Sequence, residues 1–378
     1  MPRVLQVVLS LNPGGTERLV VEIVRRLKTD LPMAVCCLDA EGAWAAELRS
    51  RGVPVKALSR APGFHPVLGR RIARFADEHR ASIVHSHHYS PFVYGAIARF
   101  WRPNLGVIFT EHGRLSDEAP SLKRRIANVL LSRAPREVVA VSDNLRQHLV
   151  AEGFPRKSVR VVYNGIDVGP VPDTGSRERA RRQLAIRDDR LVVGTIARLD
   201  RVKDLETLIR AFAALPGRQA ATLIVIGDGD ERTRLERIAD ETQADVRLLG
   251  HREDARQLLA GCDIYANSSI HEGISLTILE AMAARLPVVA TRVGGTPEIV
   301  DDTCGRLAPA RDSTALTNAL GELAQDARLR EELGQSGRQR VEERFTLDRM
   351  VEEYRQAYYR AIGAPPPVVS ERACSNVP

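Results

Sequence analysis

Short runs rich in β-branched residues alternate along the chain with longer segments whose apolar residues recur at helical spacing. This alternation predicts βαβ units and a parallel, doubly wound α/β sheet. Helices are expected over about 16–28 and 43–51. The predicted strands of the first half are VLQVVLS, MAVCCLD, ASIVHSH, GVIFTEH and EVVAVS.

The alternation stops between Asn164 and Ser176, where glycine, proline and aspartate predict a linker. A second series of strands then predicts a second doubly wound domain, as expected for 378 residues. If the two domains face each other, the ligand-binding carboxyl ends of both sheets line one cleft. The second-half strands are LVVGTIA, TLIVIGDG, VRLLGH, DIYANS and PVVATRVG.

The amino-acid composition limits the kinds of partner and the cellular compartment that we expect for this protein. A net charge of +7 favours an acidic partner, but an aromatic content of 4% argues against the stacking surfaces that bind single-stranded nucleic acid. The five cysteines are scattered and lack paired zinc spacing, which favours a reducing compartment without a structural metal. No run approaches the roughly 18 apolar residues of a membrane span. We therefore expect a cytoplasmic protein with at most peripheral membrane contact.

Gly14 and Gly15 lie between the first strand and the first helix. Glycines there let backbone amides and a helix N-terminus approach a diphosphate. The segment is not a GxGxxG motif, and the nearest acidic residue after the second strand is Asp39. A purely steric turn remains an equal alternative.

Four histidines lie at the ends of two adjacent predicted strands. Alternation places His85 and His87 on one face and His88 on the other, while His112 ends the next strand at the cleft. A metal site is conceivable, but hydrogen-bonding or packing roles fit better because spacing identifies no supporting carboxylate. His112, followed by a glycine, is the best candidate for substrate contact.

Arg198 follows a predicted strand, and Lys203 is expected to begin a helix five residues later. Two cations at the mouth of a cleft would suit a diphosphate leaving group. A solvated charged turn fits the same residues equally well.

The segment HEGISLTILEAMA is the most specific. Glu272 precedes a predicted helix and Glu280 lies roughly two turns into it, so one carboxylate can reach a sugar and the other a ribose diol. The alternative is a capping glutamate and a buried, hydrogen-bonded Glu280. Amides at the helix start would face phosphate oxygens; they belong to Ile274, Ser275, Leu276 and Thr277, after Gly273.

These motifs together resemble the retaining GT-B glycosyltransferases of family 4. The resemblance extends from about residue 4 to 361, and its E-x7-E segment is the specific part. It implies two Rossmann-like domains facing across a cleft, with the last helix crossing back to the first domain. The expected acceptor-side domain comprises residues 1–168 and is completed by the crossing helix, 346–362. The expected nucleotide-sugar domain comprises residues 178–345, and a disordered tail follows at 363–378.

The resemblance also implies roles for individual residues. Gly15, beside Gly14, would place its amide on the diphosphate or beside the acceptor, and His112 and Glu272 would contact the transferred sugar. Arg198 and Lys203 would neutralise the diphosphate. Glu280 would hold the ribose.

Asp228 and Asp230 have the spacing of a metal-binding D-x-D motif, but an Asp-Gly turn after a strand explains them too. Since two cations already supply charge, we expect transfer that needs neither a metal nor another cofactor. The expected substrates are a UDP- or GDP-sugar and a hydroxyl acceptor, with retention of anomeric configuration.

The basic, apolar segments 69–80 and 121–136 suit a lipid-linked or cell-envelope glycan acceptor and an anionic membrane on its inner face, although ordinary surface helices look similar. Two other functions remain open. A sugar-nucleotide 2-epimerase would share this architecture. A non-catalytic basic binding protein would explain the charge but not the paired glutamates.

Overall fold

A computed structural model describes residues 1–113 and 122–366, and these form two parallel sheets. The first has the order β3-β2-β1-β4-β5-β6-β7. Its strands are β1 (Val4–Val8), β2 (Met33–Cys37), β3 (Val55–Ala57), β4 (Ile83–His87), β5 (Gly106–Glu111), β6 (Glu137–Ala140) and β7 (Val159–Val161).

The second sheet has the order β10-β9-β8-β11-β12-β13. In each sheet the strand order reverses beside the first strand of that domain, β1 or β8, which is where doubly wound folds bind ligands. The second-sheet strands are β8 (Leu191–Ile196), β9 (Ala221–Ile226), β10 (Val246–Leu248), β11 (Ile264–Asn267), β12 (Val288–Thr291) and β13 (Gly305–Ala308).

Helices cover the sheets with apolar faces, and aspartate or serine caps begin several of them. Ser142, for example, accepts a hydrogen bond from the amide of Leu145 at 3.1 Å. The helices are α1 (Gly15–Leu27), α2 (Ala45–Ser50), α3 (Val67–Glu78), α4 (Tyr89–Ala98), α5 (Leu122–Leu131), α6 (Asp143–Ala151), α7 (Thr174–Gln183), α8 (Leu205–Ala213), α9 (Arg232–Thr242), α10 (Ala255–Leu258), α11 (Leu276–Ala283), α12 (Thr296–Ile299), α13 (Ser313–Gln325), α14 (Ala327–Arg344) and α15 (Leu347–Ala361).

The predicted α/β class is confirmed, but the sequence pattern missed β3, β7 and β13. Each is an edge strand of three or four residues. An edge strand has one neighbour and keeps some solvent contact, so Lys56 and Arg160 interrupt its apolar pattern. The predicted linker also ends earlier than expected, because Asp173 caps α7 at Thr174.

The chain crosses between the domains twice, and the crossings are hydrogen-bonded to each other. The Ile166 amide donates to the Phe345 carbonyl at 3.0 Å, and the Leu347 amide donates to the Ile166 carbonyl at 2.8 Å. A β-carbon on Gly165 would lie 2.2 Å from the Thr346 carbonyl oxygen, so this approach requires glycine. After the second crossing, α15 packs on α1 and β5, as predicted for the returning helix.

The predicted disordered tail falls mainly on residues 367–378, which lie outside the described residues. So does residue 121 of the predicted membrane-binding segment. Within the described ranges, no helix combines the length and the apolar character needed to cross a bilayer.

Candidate active site

The starts of α1 and α11 meet between the two domains. Gly14 is the N-cap of α1, and a β-carbon on Gly15 would lie 4.0 Å from Leu276 Cδ1 at the start of α11. The predicted glycine turn and the predicted helix start therefore face each other, although they are about 260 residues apart in sequence.

Gly273 brings the two main chains still closer. A β-carbon at this position would lie 2.2 Å from the carbonyl oxygen of His112, and one at Gly295 would lie 2.3 Å from the Gly273 carbonyl oxygen. Real β-carbons do not approach backbone atoms so closely, so any larger residue at 273 would force His112 and α11 apart. The predicted sugar contact, His112, thus lies directly against the glycine of the HEG segment.

Glu272 is bound by Lys203, so two groups predicted for different parts of the donor form one ion pair. Lys203 Nζ lies 2.6 Å from Glu272 Oε1, and Ser269 Oγ donates to the same oxygen at 2.7 Å. Lys203 does not begin a helix as expected. Asp200 accepts the amides of Val202 and Lys203, which closes a single 3-10 turn before α8 starts at Leu205.

Arg198 follows β8 and remains 73% exposed. Its Nε lies 2.5 Å from Asp200 Oδ2. Burial raises the pKa of Glu17 on α1, and the charges of His88 and Arg198 are among the influences that oppose this rise. Arg198 is therefore near enough to α1 for its charge to lower the pKa of Glu17, in the first turn after the glycines.

Glu280 is buried with its side chain 4% exposed, and Arg18 of α1 binds it with Nη1 to Oε1 at 2.6 Å. It is the fifth residue of α11, just over one turn into the helix and not two. Arg18 was not predicted as a site residue. Its position one turn after Gly14 and Gly15, on the helix that faces the cleft, was the available signal.

The start of α11 is set by Ser275, whose hydroxyl accepts from the amide of Ile278 at 3.5 Å. Because Ser275 is the N-cap and the helix begins at Leu276, the amides of the helix start belong to Ser275, Leu276, Thr277 and Ile278, one residue later than predicted. Helical geometry provides no intrahelical partner for these amides. With Ile278 capped by the Ser275 hydroxyl, the amides of Ser275, Leu276 and Thr277 are the better candidates for phosphate contact.

The four histidines form one cluster. The rings of His85 and His87 lie 4.1 Å apart, as their shared face predicts, and His87 is hydrogen-bonded to His112 at 2.9 Å. Burial lowers the pKa of His85 to about 3 and holds the pKa values of His87 and His112 well below 6.5. All three are therefore neutral near pH 7.

His88 does not point away from this cluster as expected. Its φ of 71° turns the chain at the end of β4, and its ring lies 5.2 Å from that of His112. Burial disfavours the charged form, but the hydrogen bond and charge of Glu111, with help from Glu17, raise the pKa of His88. Glu111 Oε1 lies 3.0 Å from His88 Nδ1 and is a carboxylate partner that spacing did not reveal.

Asp228, the first aspartate of the D-x-D spacing, is held by contacts within the protein. Asp228 accepts the Gly229 amide at 2.8 Å and lies 3.5 Å from Arg232 Nη1. Across the described ranges, no group of three or more His, Cys, Asp or Glu residues is placed to hold a metal ion.

Three further residues, Glu298, Tyr163 and Asn164, connect the domains and were missed. Glu298 of α12 accepts the amides of Asp143 and Asn144 at 2.8 and 2.9 Å, which caps α6 of the other domain. The Tyr163 hydroxyl donates to the same carboxylate at 2.9 Å, and burial together with this bond raises the pKa of Tyr163 to about 12. Asn164 donates to the Ile274 carbonyl at 3.0 Å. Short-range patterns do not identify such long-range pairs.

Comparison with known proteins matches both halves. A family model described as Glycosyltransferase Family 4 matches residues 13–169, and one described as Glycosyl transferases group 1 matches residues 176–340. The chain is 27% identical over 307 residues to N-acetyl-alpha-D-glucosaminyl L-malate synthase of Bacillus anthracis, covering 79% of this chain and 80% of that protein. It is 31% identical over 277 residues to D-inositol 3-phosphate glycosyltransferase of Corynebacterium jeikeium, covering 67% and 66%.

The fold matches solved structures equally well. HepE of Anabaena, solved in complex with UDP, superposes with a TM-score of 0.83 at 26% identity and covers 93% of this chain and 98% of its own. The same protein has been solved with UDP-glucose. With both sheets, the crossing helix and both family models in agreement, this chain belongs to the family 4 glycosyltransferases, which are GT-B enzymes that transfer hexosyl groups.

Proposed function

We propose that the enzyme transfers a hexose from a UDP-sugar to a hydroxyl group with retention of anomeric configuration. The observation that carries the proposal is the meeting of the α1 and α11 starts, where Gly15 and Leu276 are in contact range. Glu280 lies one turn after Leu276 on α11. Backbone amides there suit a diphosphate, and Glu280 suits a ribose diol. The UDP complexes of HepE, at 26% identity, support uridine as the first base to test, with GDP-sugars second.

The charges fit a diphosphate leaving group. As the bond from the anomeric carbon to the phosphate oxygen breaks, its electron pair goes to the diphosphate, and fixed cations stabilise that charge. Lys203 is held within the site by Glu272, while Arg198 is more exposed and can turn toward the ligand. Because these cations supply the charge, we propose transfer without a metal ion. Unchanged turnover in EDTA is the expected result.

Retention is proposed through attack on the face that the diphosphate leaves. The acceptor oxygen forms the new bond to the anomeric carbon, and its proton passes to the departing phosphate oxygen. Glu272 would hold sugar hydroxyls in this scheme, because Lys203 and Ser269 already fix its carboxylate.

The acceptor is proposed to be a lipid-linked or cell-envelope glycan presented at an anionic membrane. Eight large hydrophobic residues in the described chain are exposed, and all but Met1 lie on or beside α3, α4 and α5 of the first domain. The helices are adjacent, since Phe64 stacks on Tyr94 at 5.9 Å and Arg99 binds the Ala134 carbonyl at 2.7 Å. The seven residues are Phe64, Val67, Phe100, Trp101, Ile126, Val129 and Leu130, and we call them the apolar face.

Exposed arginines lie on the same helices as the apolar face, and their positive charge is attracted to anionic headgroups. Those on α3 and α5 include Arg70, Arg74 and Arg125. Phe100→Ser with Trp101→Ser should abolish co-sedimentation with vesicles containing phosphatidylglycerol. Arg328→Ser, on the second domain and 88% exposed, is the control that should not change it. Binding unaffected by the double change would remove the membrane proposal without affecting the transferase proposal.

The function is tested with a panel of UDP- and GDP-hexoses and simple acceptors, followed by NMR assignment of the anomeric configuration of donor and product. An inverted product would overturn retention. A donor incubated without acceptor should give no epimer, which separates transfer from the 2-epimerase alternative. Lys203→Ala and Glu280→Ala should each lower kcat/KM by at least about 100-fold, because each removes a charged contact to the donor.

A further inference from the structure

A buried chain of hydrogen bonds connects the crossing helix α15 to His112 in the cleft. The Tyr358 hydroxyl accepts from Gln6 Nε2 at 2.9 Å, and Gln6 Oε1 lies 2.8 Å from His87 Nε2. His87 Nδ1 lies 2.9 Å from His112 Nε2. All these groups are buried, so water does not compete for the bonds.

The direction of each bond follows from the one before it. In this orientation of the Gln6 amide, Oε1 faces His87 and can only accept, so His87 Nε2 carries the proton. His87 is neutral, so its Nδ1 has a lone pair and accepts the proton of His112 Nε2. Neutral His112 therefore has an unprotonated Nδ1. This nitrogen is buried and has no hydrogen-bond partner among the described residues.

The other branch of the chain agrees with this direction. Since the Tyr358 hydroxyl accepts from Gln6, its own proton goes to His85 Nδ1 at 2.9 Å. Neutral His85 then donates from Nε2 to Thr110 Oγ1 at 2.8 Å. With the Gln6 amide in this orientation, no atom has to donate and accept at once, and one arrangement of protons satisfies every bond.

We propose that Gln6, His87 and Tyr358 are positioning residues that hold His112 as its Nε2–H tautomer, so that the Nδ1 lone pair accepts a hydrogen bond from a hydroxyl of the donor sugar. This rests on the proposed function and on the role that the family resemblance implies for His112, which is contact with the transferred sugar. The main chain of His112 against Gly273 puts the residue at the boundary of the two domains, beside Glu272.

The arrangement has a consequence for specificity. A lone pair selects a sugar that offers an O–H proton at this point, and it leaves a deoxy or O-methyl sugar without a bond. Reversal of the Gln6 amide would reverse every bond as far as His112 and turn Nδ1 into a donor. The chain of hydrogen bonds therefore decides whether His112 Nδ1 binds a hydrogen-bond donor or an acceptor on the sugar.

The tautomer can be measured directly in the unliganded protein. With ¹⁵N-histidine labelling and His112→Gln for assignment, two-bond ¹H–¹⁵N spectra should show His112 with a bare Nδ1 and a protonated Nε2. A protonated Nδ1 would overturn the proposal even if the enzyme is fully active. Absence of any transferase activity with a bare Nδ1 would instead contradict the proposed function.

Variants of Gln6 and Tyr358 distinguish a role in positioning His112 from a general loss of structure. In Gln6→Met and Tyr358→Phe the spectra should show a mixture of His112 tautomers, and discrimination between a hexose donor and its monodeoxy analogues should fall from at least about tenfold to within about threefold. Ser86→Ala removes a buried hydroxyl on β4, the strand of His87, but leaves the chain of hydrogen bonds intact. It should change neither measurement. Equal loss of activity on all donors, with the tautomer unchanged, would show a merely structural role and overturn the proposal.

Discussion

The guanidinium of Arg18 lies 2.6 Å from the buried carboxylate of Glu280, so the first domain binds the group that we assign to the ribose in the second. A nucleotide whose ribose binds Glu280 must share this carboxylate with Arg18 or displace it. Donor binding is thereby coupled to a contact between the domains.

Arg18→Ala should lower the stability of the unliganded protein by about 1–3 kcal/mol, because Glu280 stays buried without its cation. It should also increase the thermal shift caused by UDP, since no arginine has to be displaced. Glu280→Gln should lose most of that shift. If Arg18→Ala weakens UDP binding as much as Glu280→Gln does, Arg18 contacts the nucleotide itself, and the competition described above is wrong.

Gly15→Ala and Gly273→Ala should have opposite effects on stability. A methyl group at 15 meets only Leu276 at 4.0 Å, so the melting temperature should be kept or rise slightly, yet kcat/KM should fall at least about tenfold if a diphosphate approaches that amide. At 273 the methyl group would meet the His112 carbonyl at 2.2 Å, so both stability and activity should fall. Calorimetry measures the melting temperatures of the two variants, and steady-state kinetics measures their kcat/KM. Full activity in Gly15→Ala would remove the assigned contact.

Glu298→Ala should loosen the contact between the two domains. Its carboxylate accepts two amides of α6 and the Tyr163 hydroxyl across the boundary, and charged bonds of this kind contribute about 1.5–3 kcal/mol each. The radius of gyration from small-angle X-ray scattering should rise. Asp312→Ala, which removes a cap wholly inside the second domain, should cost about 1 kcal/mol without changing the radius. The same radius in both variants would contradict a domain-holding role.

Acid should destabilise the first domain below about pH 6.5. His85, His87 and His112 have folded pKa values below the unfolded value, so their contribution is present above pH 6.5 and is lost as the pH falls. Each contributes up to about 1.4 kcal/mol per pH unit. His88, with its pKa raised, acts in the opposite direction, since its contribution is present at low pH and is lost as the pH rises.

Urea unfolding between pH 7.5 and 5.5 measures this dependence. His85→Gln, which can keep both hydrogen bonds of the ring, should reduce the slope below pH 6 by about 1.4 kcal/mol per pH unit. An unchanged slope would mean that His85 gains a proton in the folded state.

The sequence alone determined the parts of this protein that depend on local pattern. Apolar periodicity was enough to identify two doubly wound domains and their central strands, because buried strands need continuous apolar residues. The pattern did not predict the edge strands β3, β7 and β13, because a strand with one neighbour tolerates charged residues. The motif residues were selected because chemistry at a helix start requires glycines and spaced acids, and their roles stay predictions.

Tertiary structure decided which of those residues meet and in what state. Arg18 with Glu280, Lys203 with Glu272 and Glu298 with α6 are pairs separated by 69 to 262 positions, and no short-range pattern identifies such partners. The protonation of His112 depends on Gln6 and Tyr358, which packing brings together from the two ends of the chain. Burial makes these contacts matter, because hydrogen bonds and charges are strong only where water is excluded.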